Sequence, residues 1–70
     1  MAEVNANMAG TILEILVNVG EKVTEGEDVA MFESMKMQMM FQSNISGTVM
    51  EVKVNPGDFV NEGDVILLVE

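Results

Sequence analysis

Displaced by 37 positions, the chain lands on itself, and this repeat limits its possible folds more than any other feature. Gly10 to Gly26 falls on Gly47 to Gly63, and nine of the seventeen pairs are identical. The identities are Gly10, Thr11, Glu14, Val17, Asn18, Gly20, Val23, Glu25 and Gly26 with their mates. After Gly26 one extra residue is placed, so that Asp28-Val29 falls on Asp64-Val65. Upstream, Ala2 to Ala9 lies on Met39 to Ser46 more weakly. The expected organisation is one domain over residues 1–70, with repeat halves 2–33 and 39–70 and an unmatched tip at 34–38.

Within each half, Val, Ile, Leu and Thr fill short runs that Gly, Asn, Asp and Pro interrupt, as in strands separated by turns. Asn55-Pro56-Gly57-Asp58 suits a type II turn, and Asn18-Val19-Gly20-Glu21 keeps the glycine without the proline. Glu25-Gly26 and Glu62-Gly63 mark further reversals. The glycines read as turn residues, and none follows a phosphate-loop spacing. Ile12, Ile15, Leu16 and their mates Val49 and Val52 have helical spacing, but segments this short between turns make poor helices. A bulge or bend that changes the inward parity between Val49 and Val52, and likewise in the first copy, is the better explanation.

Two β-halves, each unable to bury its apolar face alone, predict an all-β flattened barrel or sandwich with pseudo-two-fold symmetry. Its expected core is Val4, Ile12, Ile15, Val17, Val23, Val29, Met31, Phe41, Ile45, Val49, Val52, Val54, Val60, Val65, Leu67 and Val69. Met8, Met31 and Met50 are also expected to be buried. Residues 34–38 become the tip of a hairpin.

Composition narrows the function. A net charge of −9, with three lysines and no arginine, argues against nucleic acid or an anionic membrane as partner. With no His, Cys, Tyr, Trp or Arg, the usual general base, soft metal ligands and anion clamp are missing. No catalytic residue and no metal site is therefore expected. No apolar run is long enough to span a bilayer and the N-terminus has no signal-peptide pattern, so a cytoplasmic location is the expectation.

The tip departs from ordinary turn chemistry. Tight hairpins favour Asn-Gly or Gly-X because their turns need positive φ. This one offers Ser34, Met35, Lys36 and Met37, and a long side chain held at positive φ costs on the order of 1 kcal/mol or more. Methionines at such a tip can hardly be core, and suit a surface that docks on several partners. Lys22 aligns with Phe59 and Lys53 with Leu16, so both read as solubility residues. Lys36 alone lies in the unmatched segment, as a candidate covalent attachment point. An alkylammonium is a poor nucleophile at neutral pH, so a separate enzyme would have to deprotonate and acylate it.

Glu33-Ser34-Met35-Lys36-Met37 resembles the attachment motif of biotinyl domains, Ala or Ser followed by Met-Lys-Met. The resemblance extends over nearly the whole chain, through Asn7-Met8-Ala9-Gly10-Thr11, Val17 to Val23, Ser46 to Val49 and Gly57 to Val60. It implies a barrel-sandwich hybrid of two four-stranded antiparallel sheets. Biotin would be joined to Lys36 on an exposed turn, with Met35 and Met37 as flanking recognition residues and Glu33 and Ser34 completing the motif. It further implies a biotin protein ligase, a biotin carboxylase that loads the ring using ATP and bicarbonate, and a carboxyltransferase that unloads it. The chain itself would be a carrier, monomeric in isolation, and no enzyme.

Met40 and Phe41 stand where many relatives have Pro and an aliphatic residue. No room exists for the protruding thumb of some bacterial carriers, so the likeness is to thumbless carriers of other carboxylases or decarboxylases and to short stand-alone attachment proteins. With no Pro/Ala-rich stretch ahead of the repeat, either a stand-alone carrier or an excised domain is expected. A lipoyl carrier, or an attachment protein that accepts either biotin or lipoate, is the alternative, although lipoyl domains typically have Asp before and Ala after the lysine. An unmodified interaction module would instead carry a long helical insertion at the hairpin.

Overall fold

A computed structural model describes residues 1–70 as eight strands and no helix. The strands are β1 (Ala2–Asn5), β2 (Gly10–Ile15), β3 (Lys22–Val23), β4 (Asp28–Ser34), β5 (Met37–Gln42), β6 (Gly47–Val52), β7 (Phe59–Val60) and β8 (Val65–Val69). They form two antiparallel four-stranded sheets, ordered β1-β8-β6-β3 and β5-β4-β2-β7. The repeat maps β1, β2, β3 and β4 onto β5, β6, β7 and β8, so it exchanges the two sheets. Each sheet takes two strands from each half of the chain.

Hydrogen bonds repeat with the sequence. Ile12 N–H donates to the Asp58 carbonyl and its mate Val49 N–H to the Glu21 carbonyl, both at 2.8 Å. Gly26 N–H reaches the Ser43 carbonyl at 2.7 Å, and Gly63 N–H the Ala6 carbonyl at 2.8 Å. Ser43 N–H then donates to Glu27 and Ala6 N–H to Asp64. These last pairs put Glu27 on Asp64, so the offset of 37 runs on without the extra residue expected after Gly26.

The expected parity change is present in both copies. Leu13 is the added residue where β2 crosses β4, because Ile12 faces Phe32 while Glu14 faces Met31. Its mate Met50 is the added residue between Val49 and Glu51 on β6. A second pair of bulges, at Val29 on β4 and Ile66 on β8, breaks the alternation that the sequence suggested there. The bulge residues Val29 and Ile66 are themselves buried, as are Ala30, Phe32 and Leu67 beyond them, whereas Met31 and Val65 are only half-buried.

The core holds Val4, Ile12, Val29, Phe32, Val49, Val60, Leu67 and Val69, among others, with Ile15, Ile45 and Val52 packed partly against it. Met8 is half-buried, while Met50, expected inside, is exposed because it sits on a bulge. Ser43 is the one buried polar side chain. Its hydroxyl is satisfied by the Ile45 backbone, donating to the carbonyl at 2.5 Å and accepting from the N–H at 3.3 Å.

Two glycines depart from the turn expectation. Gly10 and Gly47 open strands β2 and β6, and a Cβ on either would lie 2.7 Å from a backbone carbonyl oxygen, that of Glu33 or of Glu70. They are places of close backbone approach. The turns themselves match the type II pattern. Asp58 N–H returns to the Asn55 carbonyl at 3.0 Å with Gly57 at φ 95°, and Glu21 N–H returns to Asn18 at 3.1 Å with Gly20 at φ 94°.

Two outcomes are expected in urea denaturation. Val19→Pro, which copies Pro56 at an exposed turn position, raises stability by about 0.4–1 kcal/mol by restricting the unfolded chain. Gly47→Ala lowers it by about 1–3 kcal/mol, because the carbonyl it meets belongs to paired backbone.

Candidate functional site

Strands β4 and β5 are joined by two residues. Ser34 pairs with Met37, which leaves Met35 and Lys36 as the whole turn. Their φ angles are 53° and 66°, and no other non-glycine residue of the chain has a positive φ. Positive φ at both central residues is the pattern of a type I′ turn, whose twist matches that of the flanking strands. The strand register thus forces two ill-suited residues into the left-handed region. At about 1 kcal/mol or more for each, the strain is a sizeable fraction of what a chain this small can spare.

Stiff pairing below the turn holds it in place. Five further residue pairs join β4 and β5, from Glu33–Gln38 down to Asp28–Gln42. The Phe32 and Phe41 rings stack 3.8 Å apart with an interplanar angle of 5°. Gln42 Nε2 donates to an Asp28 carboxylate oxygen at 3.1 Å at the far end of the hairpin. Above this base Met35 is 90% exposed and Met37 63% exposed, so neither contributes to the core. Lys36 is exposed as well, and its ammonium has no carboxylate partner. The single ion pair of the molecule joins Lys53 to Glu51 at 3.3 Å.

The five residues singled out in the sequence therefore lie together on one hairpin. Glu33 is exposed on β4 opposite Gln38 and Thr11, Ser34 is half-buried at the last pair, and Met35, Lys36 and Met37 project beyond it. Lys22 lies on β3 opposite Thr48, at the other end of the molecule. The turn Asn18–Glu21 follows the end of β2 remote from Gly10 and bonds to Val49, which places Gly47, Lys22 and Glu70 opposite the hairpin tip. The overall extents of 32 × 17 × 17 Å make this separation the long dimension.

Phe59 is a feature of this end that sequence reasoning did not single out. It faces Thr11 across β7 and β2, in the same row as Glu33 and Gln38, and is 63% exposed. The available signal was its alignment with Lys22: a position that accepts lysine in one half is solvated in both.

The arrangement offers one accessible amine on a rigid, strained turn. No cavity is present to enclose a small ligand.

Comparison with known proteins agrees in fold and sequence. A family model described as "Biotin-requiring enzyme" matches residues 1–69. The biotin carboxyl carrier protein of Streptococcus mutans is 52% identical over 33 residues, which are 47% of this chain and 25% of that protein. Biotinylated protein TB7.3 of Mycobacterium bovis and of Mycobacterium tuberculosis is 42% identical over 40 residues, 56% of either chain. The matches thus span about half or less of these relatives. Among solved structures, the urea carboxylase of Kluyveromyces lactis superposes with a TM-score of 0.90 at 26% identity, covering 99% of this chain and 6% of that one. A single-chain, multi-domain long-chain acyl-CoA carboxylase superposes at 0.83 with 30% identity, covering 94% and 6%.

Replacing the turn by Met35→Asn with Lys36→Gly is expected to raise unfolding free energy by about 1–2 kcal/mol, since Asn-Gly suits a type I′ turn. Met35→Leu and Met37→Leu are expected to leave the melting temperature within about a degree or two, as exposed substitutions do. Thermal denaturation checks both.

Proposed function

The chain belongs to the family described as biotin-requiring enzyme, and on that premise we propose that it is a biotin carboxyl carrier with biotin joined to Lys36. One observation carries the choice of site. Of the three lysines, Lys36 alone occupies a strained turn, with φ 66°, at the end of a stacked hairpin. Loading is a ligase reaction. Lys36 Nζ gives up a proton to a base of the ligase and attacks the carboxyl carbon of biotinyl-adenylate. A C–N amide bond forms, the acyl–phosphate C–O bond breaks and AMP leaves. Loading removes one positive charge, so the net charge goes from −9 to −10.

When bound, biotin supplies a ureido nitrogen able to take up a carboxyl group at a biotin carboxylase and release it at a carboxyltransferase. The chain contributes presentation. The β4–β5 hairpin extends Lys36 clear of the acidic body, and Met35 and Met37 give partner enzymes a compliant apolar contact on either side of it. The tether turns delivery between active sites into an intramolecular encounter, which raises the effective concentration of the reacting group. Once loaded, the chain supplies no side chain to the carboxyl transfer itself. The carboxyl acceptor belongs to the class of acyl-CoA, pyruvate or a related small molecule. A lipoyl carrier is the second reading, since an exposed lysine on a hairpin turn would take a lipoyl amide as well; methionines on both sides of Lys36 favour biotin.

Co-expression with a biotin protein ligase tests the reading by intact mass. The native chain is expected to gain one biotinyl amide, and Lys36→Arg none. Persistence of the increment in Lys36→Arg, or a lipoyl increment alone when both ligases are supplied, would overturn it.

A further inference from the structure

The repeat provides an internal control for what the fold needs. At the two ends of the molecule Gly10 matches Gly47, Thr11 matches Thr48 and Glu33 matches Glu70, each pair in the same structural role. Beside Thr48 the mate on the neighbouring strand is Lys22, a solvated charge. Beside Thr11 it is Phe59, a phenyl ring 63% exposed on a chain with only three aromatic residues. The other two, Phe32 and Phe41, are stacked in the core. Packing does not explain Phe59, because the equivalent position holds lysine without loss of the strand pair.

Phe59 lies at the end that carries Lys36. Gln38, Glu33, Thr11 and Phe59 form one row across the sheet, on its outer face. Phe59 is two strands from Glu33, about 10 Å at the usual strand spacing. Lys36 is three residues past Glu33, at most about 10 Å further along the hairpin. An amide-linked biotin places about eleven bonds between the Lys36 Cα and the bicyclic ring, a reach of about 14 Å at about 1.25 Å gained per bond. That span covers the diagonal to the Phe59 ring. Lys22 and Thr48, at the opposite end of a molecule 32 Å long, lie beyond it.

We propose that the Phe59 ring, with Thr11 beside it, is the resting site for the uncharged bicyclic ring that Lys36 carries. The inference rests on the reading of Lys36 as the biotin attachment residue. The thioether-containing half of the ring lies against the phenyl face, and the ureido edge has the half-buried Thr11 hydroxyl as a hydrogen-bonding neighbour. A loosely held ring stays off other apolar surface between visits to partner enzymes, and leaves readily because Phe59 forms an open platform with no enclosing cavity.

The test compares the isotopically labelled full chain before and after ligase loading by NMR, with loading at Lys36 first verified by fragmentation mass spectrometry. The expected result is chemical-shift change at Phe59 and Thr11 well above that at Lys22 and Thr48, with nuclear Overhauser contacts from the Phe59 ring to the biotin ring methines. Phe59→Lys, copying the residue at the mate position, is expected to abolish those contacts while loading and melting temperature hold. A chain loaded at Lys36 whose Phe59 signals match the unloaded chain, or whose biotin contacts reach only the methionine methyls, overturns the resting site and leaves the carrier reading intact. A chain that takes no biotin at Lys36 overturns the carrier reading itself, and the resting site falls with it.

Discussion

Neither half of this chain can finish a sheet alone. Each four-stranded sheet takes two strands from one half and two from the other, and the apolar faces close only when the halves interleave. Everything else follows from that exchange. The core is made mostly of Val, Ile, Leu and Ala side chains, with the stacked Phe32 and Phe41 at the hairpin. Bulges at Leu13 and Met50, and again at Val29 and Ile66, bend the strands enough for such narrow sheets to wrap it. Because the operation is a pseudo-two-fold, one end of the molecule displays the hairpin between the halves, and the other displays Ala2 and Glu70.

Pseudo-symmetry also separates what the fold requires from what is left for use. Close-approach glycines, type II turns and their carboxylate caps recur in both halves. Glu27 accepts from Thr24 N–H at 3.0 Å, and Asp64 accepts from Asn61 N–H at 2.8 Å. The turn at Met35 and Lys36 has no such counterpart, and there the backbone is held in a conformation its residues disfavour. Strain of this kind persists only where the surroundings over-determine it, and the stacked, fully paired β4–β5 hairpin provides that. A mobile loop would present the lysine as well, but without a fixed direction. A rigid turn would give the ligase proposed to load Lys36 a single shape to recognise.

Much of this was legible in the sequence, because a repeat carries topology as well as composition. The paired sheets, the tip and the bulge near Val49 follow from seventeen aligned pairs and a parity conflict between Val49 and Val52. The inward set on β4 and β8 was less accessible. Val29, Met31 and Val65, Leu67, Val69 alternate cleanly as letters, and nothing in them signals that Val29 and Ile66 are inserted residues. Hence the letters favour Met31 and Val65 as core, whereas the structure buries Phe32 and Ile66. Placing Asp28 on Asp64 also concealed the better correspondence, in which Val29 lies on Ile66 and Glu33 on Glu70. Gly10 and Gly47 looked like turn residues because close backbone approach depends on a neighbouring strand that a single segment cannot reveal. Phe59 is aligned with Lys22 and left out of the expected core, but only the strand pairing with Thr11 shows that its exposed ring shares the end of the molecule that carries Lys36.

We propose that presentation by the fold, rather than the mere presence of an amine, selects Lys36. The unaltered chain contains its own competition, since Lys22 and Lys53 are exposed as well. The decisive measurement is residue-level localisation of biotin on the unaltered, ligase-treated chain, by fragmentation of the intact protein at several extents of reaction. Every increment is expected to lie on Lys36, from the first turnover to completion, with the reaction stopping at one per chain. Biotin found on Lys22 or Lys53 at comparable rates would contradict it.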